Sequence, residues 1–165
     1  MRLWFWGVEA MSDAQTSSAK SADPTEPNRR TEIALPLPQP DSLTQAYWDA
    51  CREERLEVSR CEDCDHLFLP PGPCCPKCWS GKLSTRVASG NGSVFSYVVY
   101  RRSYHPGIPA PYVVALIELD EGPRLISNIV GCEIEEVEIG MPVRVRFEAA
   151  GDYLLPRFEP NGAED

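Results

Sequence analysis

Cys61-Glu62-Asp63-Cys64 and Cys75-Pro76-Lys77-Cys78 are two C-x-x-C pairs with ten residues between them. Two residues between the thiols let both sulfurs of a pair reach one ion from a tight turn, and two such turns facing each other supply four thiolates. Four thiolates fill the tetrahedron that Zn²⁺ prefers and leave no position for water or substrate. The spacing therefore predicts a structural zinc site, which stabilises a module too short to build a core of its own.

The residues around the pairs fit a zinc ribbon, with some alternatives open. Leu56-Glu57-Val58 leads into the first pair and Leu67-Phe68-Leu69 follows it, as the strands of a ribbon would. Cys74 offers a second spacing to Cys78, but a C-x-x-C turn accommodates Pro76 better. His66 lies at an awkward spacing from the first pair, so we predict that it is not a ligand. A redox C-x-x-C is the competing interpretation of either pair, although the βαβ context of such motifs is missing.

The two cysteines outside this region, Cys51 and Cys132, lie in a predicted helix and near a predicted strand. We interpret both as buried small apolar residues.

Upstream of the pairs, order is predicted to begin at Asp41. The stretch Ser42-Leu43-Thr44-Gln45 has the Ser-x-x-Gln form of a capping box. Apolar side chains then recur at helical spacing, which predicts a helix to about residue 55. Residues 12–40 are rich in Ser, Ala, Thr, Pro and charge, so we predict a disordered leader over 1–40, and likewise a disordered tail over 161–165.

Downstream of the pairs, several short strands joined by tight turns indicate a small β-barrel or sandwich. Gly90-Asn91-Gly92 is predicted to be a turn, and residues 143–148 alternate strictly between apolar and charged side chains. The predicted strands are 93–100, 112–119, 125–130 and 143–148. The predicted fold is therefore mainly β, with a helix and ribbon over 41–85 followed by a barrel over 86–160.

Composition narrows the classes of function. The chain has 165 residues, of which 25 are acidic and 16 basic, giving a formal charge of −9. A net-acidic chain is a poor candidate for wrapping nucleic acid, because that affinity comes from Lys and Arg displacing counterions. No run approaches the ~18 apolar residues needed to cross a bilayer, and residues 1–10 do not form a signal peptide. We therefore expect a cytoplasmic protein whose cysteines are thiols or metal ligands.

Motifs for catalysis are missing from the sequence. It contains two histidines, His66 and His105, and no Gly-x-Ser-x-Gly, His-Glu-x-x-His or Gly-rich phosphate loop. A Cys–His nucleophile stays open, since its members need be adjacent only in space. Because four of the seven cysteines are assigned to metal, the sequence favours a binding module over an enzyme.

The motifs together resemble the DUF35 family, whose members are described as acyl-CoA-associated proteins with a rubredoxin-like zinc ribbon and an OB-fold. The resemblance covers about 41–160. It rests on Ala46-Tyr47-Trp48-Asp49-Ala50, Arg60-Cys61-Glu62-Asp63-Cys64, Phe68-Leu69-Pro70-Pro71, Cys75-Pro76-Lys77-Cys78, Gly92-Ser93-Val94, Pro111 to Leu119, Glu121-Gly122-Pro123-Arg124-Leu125, Ile139-Gly140-Met141-Pro142-Val143 and Leu155-Pro156-Arg157-Phe158. Asp65 departs from the family, which often has Gly in the left-handed turn there, and Cys74 is an additional departure.

This resemblance implies a helix, a zinc ribbon and an OB barrel, and it implies a role. Such proteins accompany thiolase-superfamily enzymes, as the small subunit of a thiolase or of a lipid-transfer-protein-like aldolase. In some systems they bridge the thiolase to a second acyl-CoA enzyme such as a hydratase or synthase. Catalysis then belongs to the partner, and a coenzyme A thioester is a further implied ligand.

The loop at 101–109 holds the candidate coenzyme A contacts Arg101, Arg102, Tyr104 and His105. Two arginines beside aromatic rings suit phosphates and adenine, while an ordinary solvated loop is the competing interpretation. The same features suit single-stranded nucleic acid, which is the alternative function, although the acidic balance of the chain counts against it.

Overall fold

The computed structural model describes residues 36–162. The predicted leader lies outside the described residues over 1–35, and the predicted tail lies outside them over 163–165. Within the described part, no helix has the length and hydropathy that crossing a membrane requires.

A single α-helix and a three-stranded sheet come first. The elements are α1 (Gln45–Arg52), β1 (Glu57–Cys61), β2 (Leu67–Phe68) and β3 (Leu83–Val87). β1 is the central strand and pairs antiparallel with both neighbours, in the order β2-β1-β3. This small sheet is the ribbon that carries the cysteine pairs.

The rest of the described chain forms a closed five-stranded barrel. Its strands are β4 (Asn91–Tyr100), β5 (Tyr112–Leu119), β6 (Arg124–Ile129), β7 (Pro142–Ala150) and β8 (Tyr153–Pro160), with a 3₁₀ turn at Ile134–Glu136. They close in the order β4-β5-β6-β8-β7. All pairs are antiparallel except β6 and β8, which run parallel and pair only at Ile129 and Phe158. The predicted mainly-β fold with a helix, ribbon and OB-type barrel is confirmed.

Alternation of side chains in the strands explains why the barrel closes. In β5 the side chains of Val113, Ala115, Ile117 and Leu119 are buried, while the residues between them are only half-buried. A strand of period two presents one face to the core, and burying each large side chain stabilises the fold by about 1.5–3 kcal/mol. Leu56 and Val58 of the ribbon belong to the same hydrophobic core as β5. The ribbon is thereby fixed to the barrel by shared packing.

The ends of α1 differ from the prediction. Ser42 does not form a capping box. Instead, the Asp41 carboxylate accepts hydrogen bonds from the Leu43 and Thr44 backbone N–H groups at 3.0 and 2.9 Å. An Asp carboxylate forms this turn well because it reaches the backbone two and three residues ahead. The helix ends at Arg52 rather than near 55, because Glu54 takes a left-handed conformation, with φ 57°.

The predicted Gly-Asn-Gly turn is only partly correct. Gly90 has φ +80° and forms the turn, whereas Asn91 and Gly92 already belong to β4. Gly92 is required there by close approach: a Cβ at this position would lie 2.4 Å from the backbone oxygen of Glu118 on β5. The second glycine therefore lets two strands pack closely rather than turning the chain.

Candidate metal centre and neighbouring surfaces

The first cysteine pair lies in the turn between β1 and β2. β1 places Cys61 at its end, and the chain then reverses so that the Asp65 N–H donates to the Cys61 carbonyl at 2.9 Å. The Cys61 N–H donates to the His66 carbonyl at 2.9 Å. Asp65 takes the left-handed conformation that the family resemblance implied, with φ 57°. We call residues 61–66 the first knuckle.

The second pair repeats this geometry 14 residues later in the chain. The Trp79 N–H donates to the Cys75 carbonyl at 2.9 Å, and the Cys75 N–H donates to the Ser80 carbonyl at 2.8 Å. Trp79 also takes the left-handed conformation, with φ 62°. We call residues 75–80 the second knuckle. Asp65 and Trp79 occupy equivalent positions in the two knuckles.

The two knuckles bring four sulfurs together. The Sγ atoms of Cys61 and Cys78 are 3.5 Å apart, those of Cys64 and Cys75 are 3.7 Å apart, and all four lie within 4.8 Å of one another. A tetrahedral site with Zn–S bonds of about 2.3 Å has sulfurs about 3.8 Å apart. The donor set and its spacing therefore fit one tetrahedral metal ion with no open position.

The pKa values of Cys75 and Cys78 show why a cation favours ionisation of all four thiols. Burial opposes ionisation of Cys75, but the backbone N–H groups of Cys78 and Lys77 outweigh it and lower the pKa of Cys75 to about 7. The Ser80 N–H favours the Cys78 thiolate, yet the neighbouring Cys64 and Cys61 thiols outweigh it and raise the pKa of Cys78 to about 12. Neighbouring thiolates repel one another, so a divalent cation is needed for all four to ionise at neutral pH.

A side-chain bridge holds the knuckles together outside the sulfurs. The Ser80 hydroxyl donates to Asp63 Oδ2 at 2.6 Å, and the Lys82 ammonium lies 3.2 Å from Asp63 Oδ1. The hydrogen bond from Ser80, followed by that from Lys82, lowers the pKa of Asp63. The carboxylate therefore stays charged at neutral pH and links one knuckle to the other.

The remaining cysteines and His66 lie apart from the sulfur cluster. Within residues 36–162, neither Cys74 nor His66 joins the four-sulfur group, and the His66 ring stacks on Phe68 with centroids 6.1 Å apart. Cys51 is fully buried, as predicted, and burial raises the pKa of its thiol to about 11. Cys132 is only half-buried, contrary to prediction, because it lies in a bend after β6.

The loop predicted to contact coenzyme A is held by its own hydrogen bonds. The Ser103 hydroxyl oxygen lies 2.8 Å from the carbonyl oxygens of both His105 and Ile108, which share its single proton, and His105 Nδ1 accepts from the Gly107 N–H at 3.1 Å. Arg101 and Arg102 are exposed, and Tyr104 is 73% exposed. The four predicted residues therefore lie on one exposed loop, and of the four Tyr104 also lines the cavity beside it.

An aromatic cavity of about 700 Å³ lies beside that loop. Its wall contains Tyr100 and Tyr112, whose rings stack with centroids 5.0 Å apart, and Tyr104, edge-on to Tyr100 at 5.6 Å. Arg157 lines this cavity, whereas Arg101 and Arg102 do not. The sequence predicted Tyr104 as a contact residue but not Tyr100 and Tyr112 beside it. The signal for these two is the register of β4 and β5, which pairs Tyr100 with Tyr112.

An apolar groove of about 590 Å³ lies where α1, the loop after β2 and the barrel meet. Tyr47 and Trp48 of α1, Leu69 and Pro70 of the loop, and Ile126 and Leu155 of the barrel contribute to its lining. The helix is fixed to β8 because Trp48 contacts the Tyr153 ring edge-on at 6.0 Å. The groove therefore combines all three parts of the described fold.

A ribbon with four clustered sulfurs, followed by a five-stranded OB-type barrel, defines a class of two-part proteins. The chain matches the model of the ChsH2 rubredoxin-like zinc ribbon domain over 48–84 and that of the ChsH2 C-terminal OB-fold domain over 85–148. A DUF35 domain-containing scaffold protein of Methanothermobacter thermautotrophicus is 41% identical over 94 residues, which cover 56% of this chain and 71% of that protein. The chain belongs to the DUF35 family.

Two further comparisons concern larger systems. A probable enoyl-CoA hydratase alpha subunit of Thermomonospora curvata is 47% identical over 117 residues, covering 70% of this chain and 37% of that protein. The solved structure of an Ltp2-ChsH2(DUF35) aldolase contains a chain that superposes with a TM-score of 0.71 at 42% identity, covering 75% of this chain and 98% of that one. The chain thus spans about two fifths of the length of the hydratase alpha subunits it matches.

Proposed function

We propose that this chain is a non-catalytic accessory subunit of an acyl-CoA-processing complex, docked on a thiolase-superfamily enzyme that carries the catalytic residues. A second acyl-CoA enzyme, such as a hydratase or synthase, is a further partner in this proposal. The observation that carries it is the likeness to nearly the whole DUF35 chain of the Ltp2-ChsH2 aldolase, at 42% identity.

The proposal assigns one Zn²⁺ to Cys61, Cys64, Cys75 and Cys78. Their clustered sulfurs and the backbone N–H groups that point at Cys75 support four thiolate ligands. A closed tetrahedron offers the metal no open position, so its contribution is to hold the ribbon in shape. Cys61 and Cys75 are fully buried and anchor the ion to the ribbon, while Cys78 faces solvent.

The positions of the two histidines support a non-catalytic role for this chain. Within residues 36–162, neither His66 nor His105 makes a side-chain hydrogen bond to a cysteine: the His66 ring stacks on Phe68, and His105 Nδ1 accepts from Gly107. A nucleophile and its base must lie within hydrogen-bond reach. The described part of the chain therefore supports binding and scaffolding rather than autonomous catalysis.

We also propose that a coenzyme A thioester binds to one loop of the barrel. This loop carries Arg101, Arg102, Tyr104 and His105. Neither arginine is ion-paired within the described residues, and the exposed Tyr104 lines the tyrosine cavity. Free guanidinium groups suit the phosphates, and an aromatic wall suits the adenine. A calorimetric titration with coenzyme A tests this contact, and replacing both arginines with alanine is expected to weaken binding at least tenfold.

Charge pairing counts against the nucleic-acid alternative. Seven of the ten arginines in residues 36–162 are ion-paired with carboxylates. Arginines already neutralised by carboxylates release few counterions from a phosphate backbone. The surface therefore offers little of the positive charge that single-stranded RNA needs.

The experiment is co-expression of the full chain with the thiolase-superfamily protein encoded nearest to it. We expect a single co-eluting complex and a partner whose activity falls when this chain is left out. The assembly role is wrong if the two never co-purify and the partner is fully active alone. A parallel titration with single-stranded RNA at low salt supports the alternative only if binding is sub-micromolar and salt-sensitive.

A further inference from the structure

The second knuckle presents an unusual surface to solvent. Pro76, Lys77, Cys78 and Trp79 are consecutive and all exposed, and the Trp79 side chain is 77% exposed. We call these four residues the knuckle surface. Within residues 36–162, the Trp79 ring has no aromatic or cation–π partner, and Lys77 is not ion-paired. Packing within the described chain therefore does not explain why a tryptophan occupies this position.

The backbone conformation of Trp79 is unfavourable, in addition to its side chain being exposed. Trp79 has φ 62°, a conformation that is unfavourable for L-residues and unusual for bulky ones. Asp65, at the equivalent position of the first knuckle, has φ 57°, but a short polar side chain tolerates this conformation better. Asp65 also has an internal role, since it accepts a hydrogen bond from Arg60 Nε at 3.0 Å. Trp79 has the same backbone strain, and within residues 36–162 its side chain makes no comparable hydrogen bond or aromatic contact.

We propose that Trp79 anchors a protein–protein contact, its ring filling an apolar socket on the partner while Lys77 faces a carboxylate at the socket's rim. This inference rests on the proposed function, because it requires a protein partner. Trp is strongly enriched among the few residues that dominate binding energy at interfaces. Strain that persists at an exposed position points to a role outside the free chain.

Charges next to the knuckle surface favour a protein over a nucleic acid. Glu62, Asp63 and Asp65 are all exposed on the first knuckle, and the Asp63–Ser80 hydrogen bond of 2.6 Å places Asp63 directly beside the second. Asp63 and Asp65 are ion-paired with Lys82 and Arg60, so Glu62 leaves this edge with a net negative charge. A phosphate backbone stacked over Trp79 would meet these carboxylates. A partner with an apolar socket and a single acidic group at its rim avoids them.

The test compares Trp79→Gly with the matched control Asp65→Gly in the full chain. Glycine adopts the left-handed conformation without strain, so both variants are expected to keep zinc, and Trp79→Gly is expected to melt no more than about 3 °C below the wild type. Affinity for the co-expressed thiolase-superfamily protein is expected to fall at least tenfold in Trp79→Gly. It is expected to stay within about twofold of wild type in Asp65→Gly.

The outcomes distinguish failure of this inference from failure of the proposed function. Wild-type binding that Trp79→Gly leaves unchanged overturns this inference alone, while failure of the wild type to bind overturns the proposed function together with it. Loss of zinc, or a fall of more than about 8 °C in the melting temperature of Trp79→Gly, assigns Trp79 to the fold instead. Single-stranded RNA binding that disappears in Trp79→Gly assigns the surface to nucleic acid. Lys77→Glu, which leaves the backbone alone, is expected to weaken the protein complex by about tenfold.

Discussion

The carboxylate of Asp63 accepts a hydrogen bond of 2.6 Å from the hydroxyl of Ser80, and these two residues belong to opposite knuckles. The Ser80 backbone also contacts both cysteines of the second knuckle. Its carbonyl accepts a hydrogen bond from the Cys75 N–H, and its N–H favours the Cys78 thiolate. Ser80 therefore connects the side-chain bridge to two of the sulfurs.

Replacing Ser80 with alanine is expected to weaken zinc binding without unfolding the barrel. Loss of an outer-shell partner typically costs 10–100-fold in metal affinity, and we expect about tenfold here because the backbone contacts of residue 80 remain. Competition with a chromophoric zinc chelator measures this. Ser84→Ala on β3 is the control and should behave as the wild type. An unchanged affinity for Ser80→Ala would show that the bridge has no effect on the site.

Gly92→Ala is expected to destabilise the barrel by about 1–3 kcal/mol, the usual cost of overpacking. The added methyl would lie 2.4 Å from the Glu118 carbonyl, so β4 and β5 must move apart. Thermal unfolding followed by circular dichroism measures the effect. Gly72→Ala is the control, since its nearest contacts are ordinary ones at 3.9 and 4.0 Å. Equal melting temperatures for both variants would contradict the close approach of these strands.

Stability is expected to fall in acid partly through Glu159. The Arg144 guanidinium, 2.9 Å from Glu159 Oε1, together with Arg146, holds the pKa of Glu159 below its ordinary value of 4.5. Because the pKa is lowered in the folded state, the stabilisation is complete above about pH 4.5 and is lost as the pH falls through the lowered value.

Glu159→Gln removes that contribution. The variant is expected to melt a few degrees lower than the wild type at pH 7, with the gap closing toward pH 3. Glu138→Gln, at an exposed residue that is not ion-paired within the described chain, should show no gap at either pH. A constant gap for Glu159→Gln across this range would contradict the ion-pair origin of the effect.

Much of the candidate site was predictable because ligand spacing is a local property. Two C-x-x-C pairs specify two knuckles whatever the remainder of the fold, and the structure brings their sulfurs together. The partners outside the sulfurs were not predictable. Asp63 and Ser80 are 17 residues apart in the sequence, and only the opposition of the knuckles brings them into contact. The pairing of Tyr100 with Tyr112 beside the predicted Tyr104 was missed for the same reason, since it depends on strand register.

Two strands were missed for physical reasons. β3 has mostly exposed or half-buried polar side chains, so it shows no apolar alternation and forms through its pairing with β1. β8 contains Pro156, which argues against a strand. The Pro156 carbonyl accepts from the Ser127 hydroxyl, so its nitrogen also faces β6, and β6 and β8 pair only at Ile129 and Phe158. The missing N–H is therefore not needed for the barrel ladder.

The cysteines are expected to differ sharply in reactivity. Cys51 should resist alkylation because it is fully buried and burial raises its pKa to about 11. Cys74 and Cys132, both partly exposed, should be modified first, and the four clustered cysteines only after a chelator removes the metal. Peptide mapping by mass spectrometry after brief alkylation measures the order. Modification of Cys51 as fast as Cys74 would contradict the packing of α1 on the ribbon and barrel.

The most direct test of the central claim is the metal content of the purified, folded chain, measured by atomic absorption for the wild type and for Cys61→Ser and Cys78→Ser. We expect one zinc ion per chain in the wild type, and in each variant loss of zinc and a destabilised ribbon. A wild-type protein that is folded and metal-free, or variants that keep the full zinc content, would contradict a structural zinc ion held by these four thiolates.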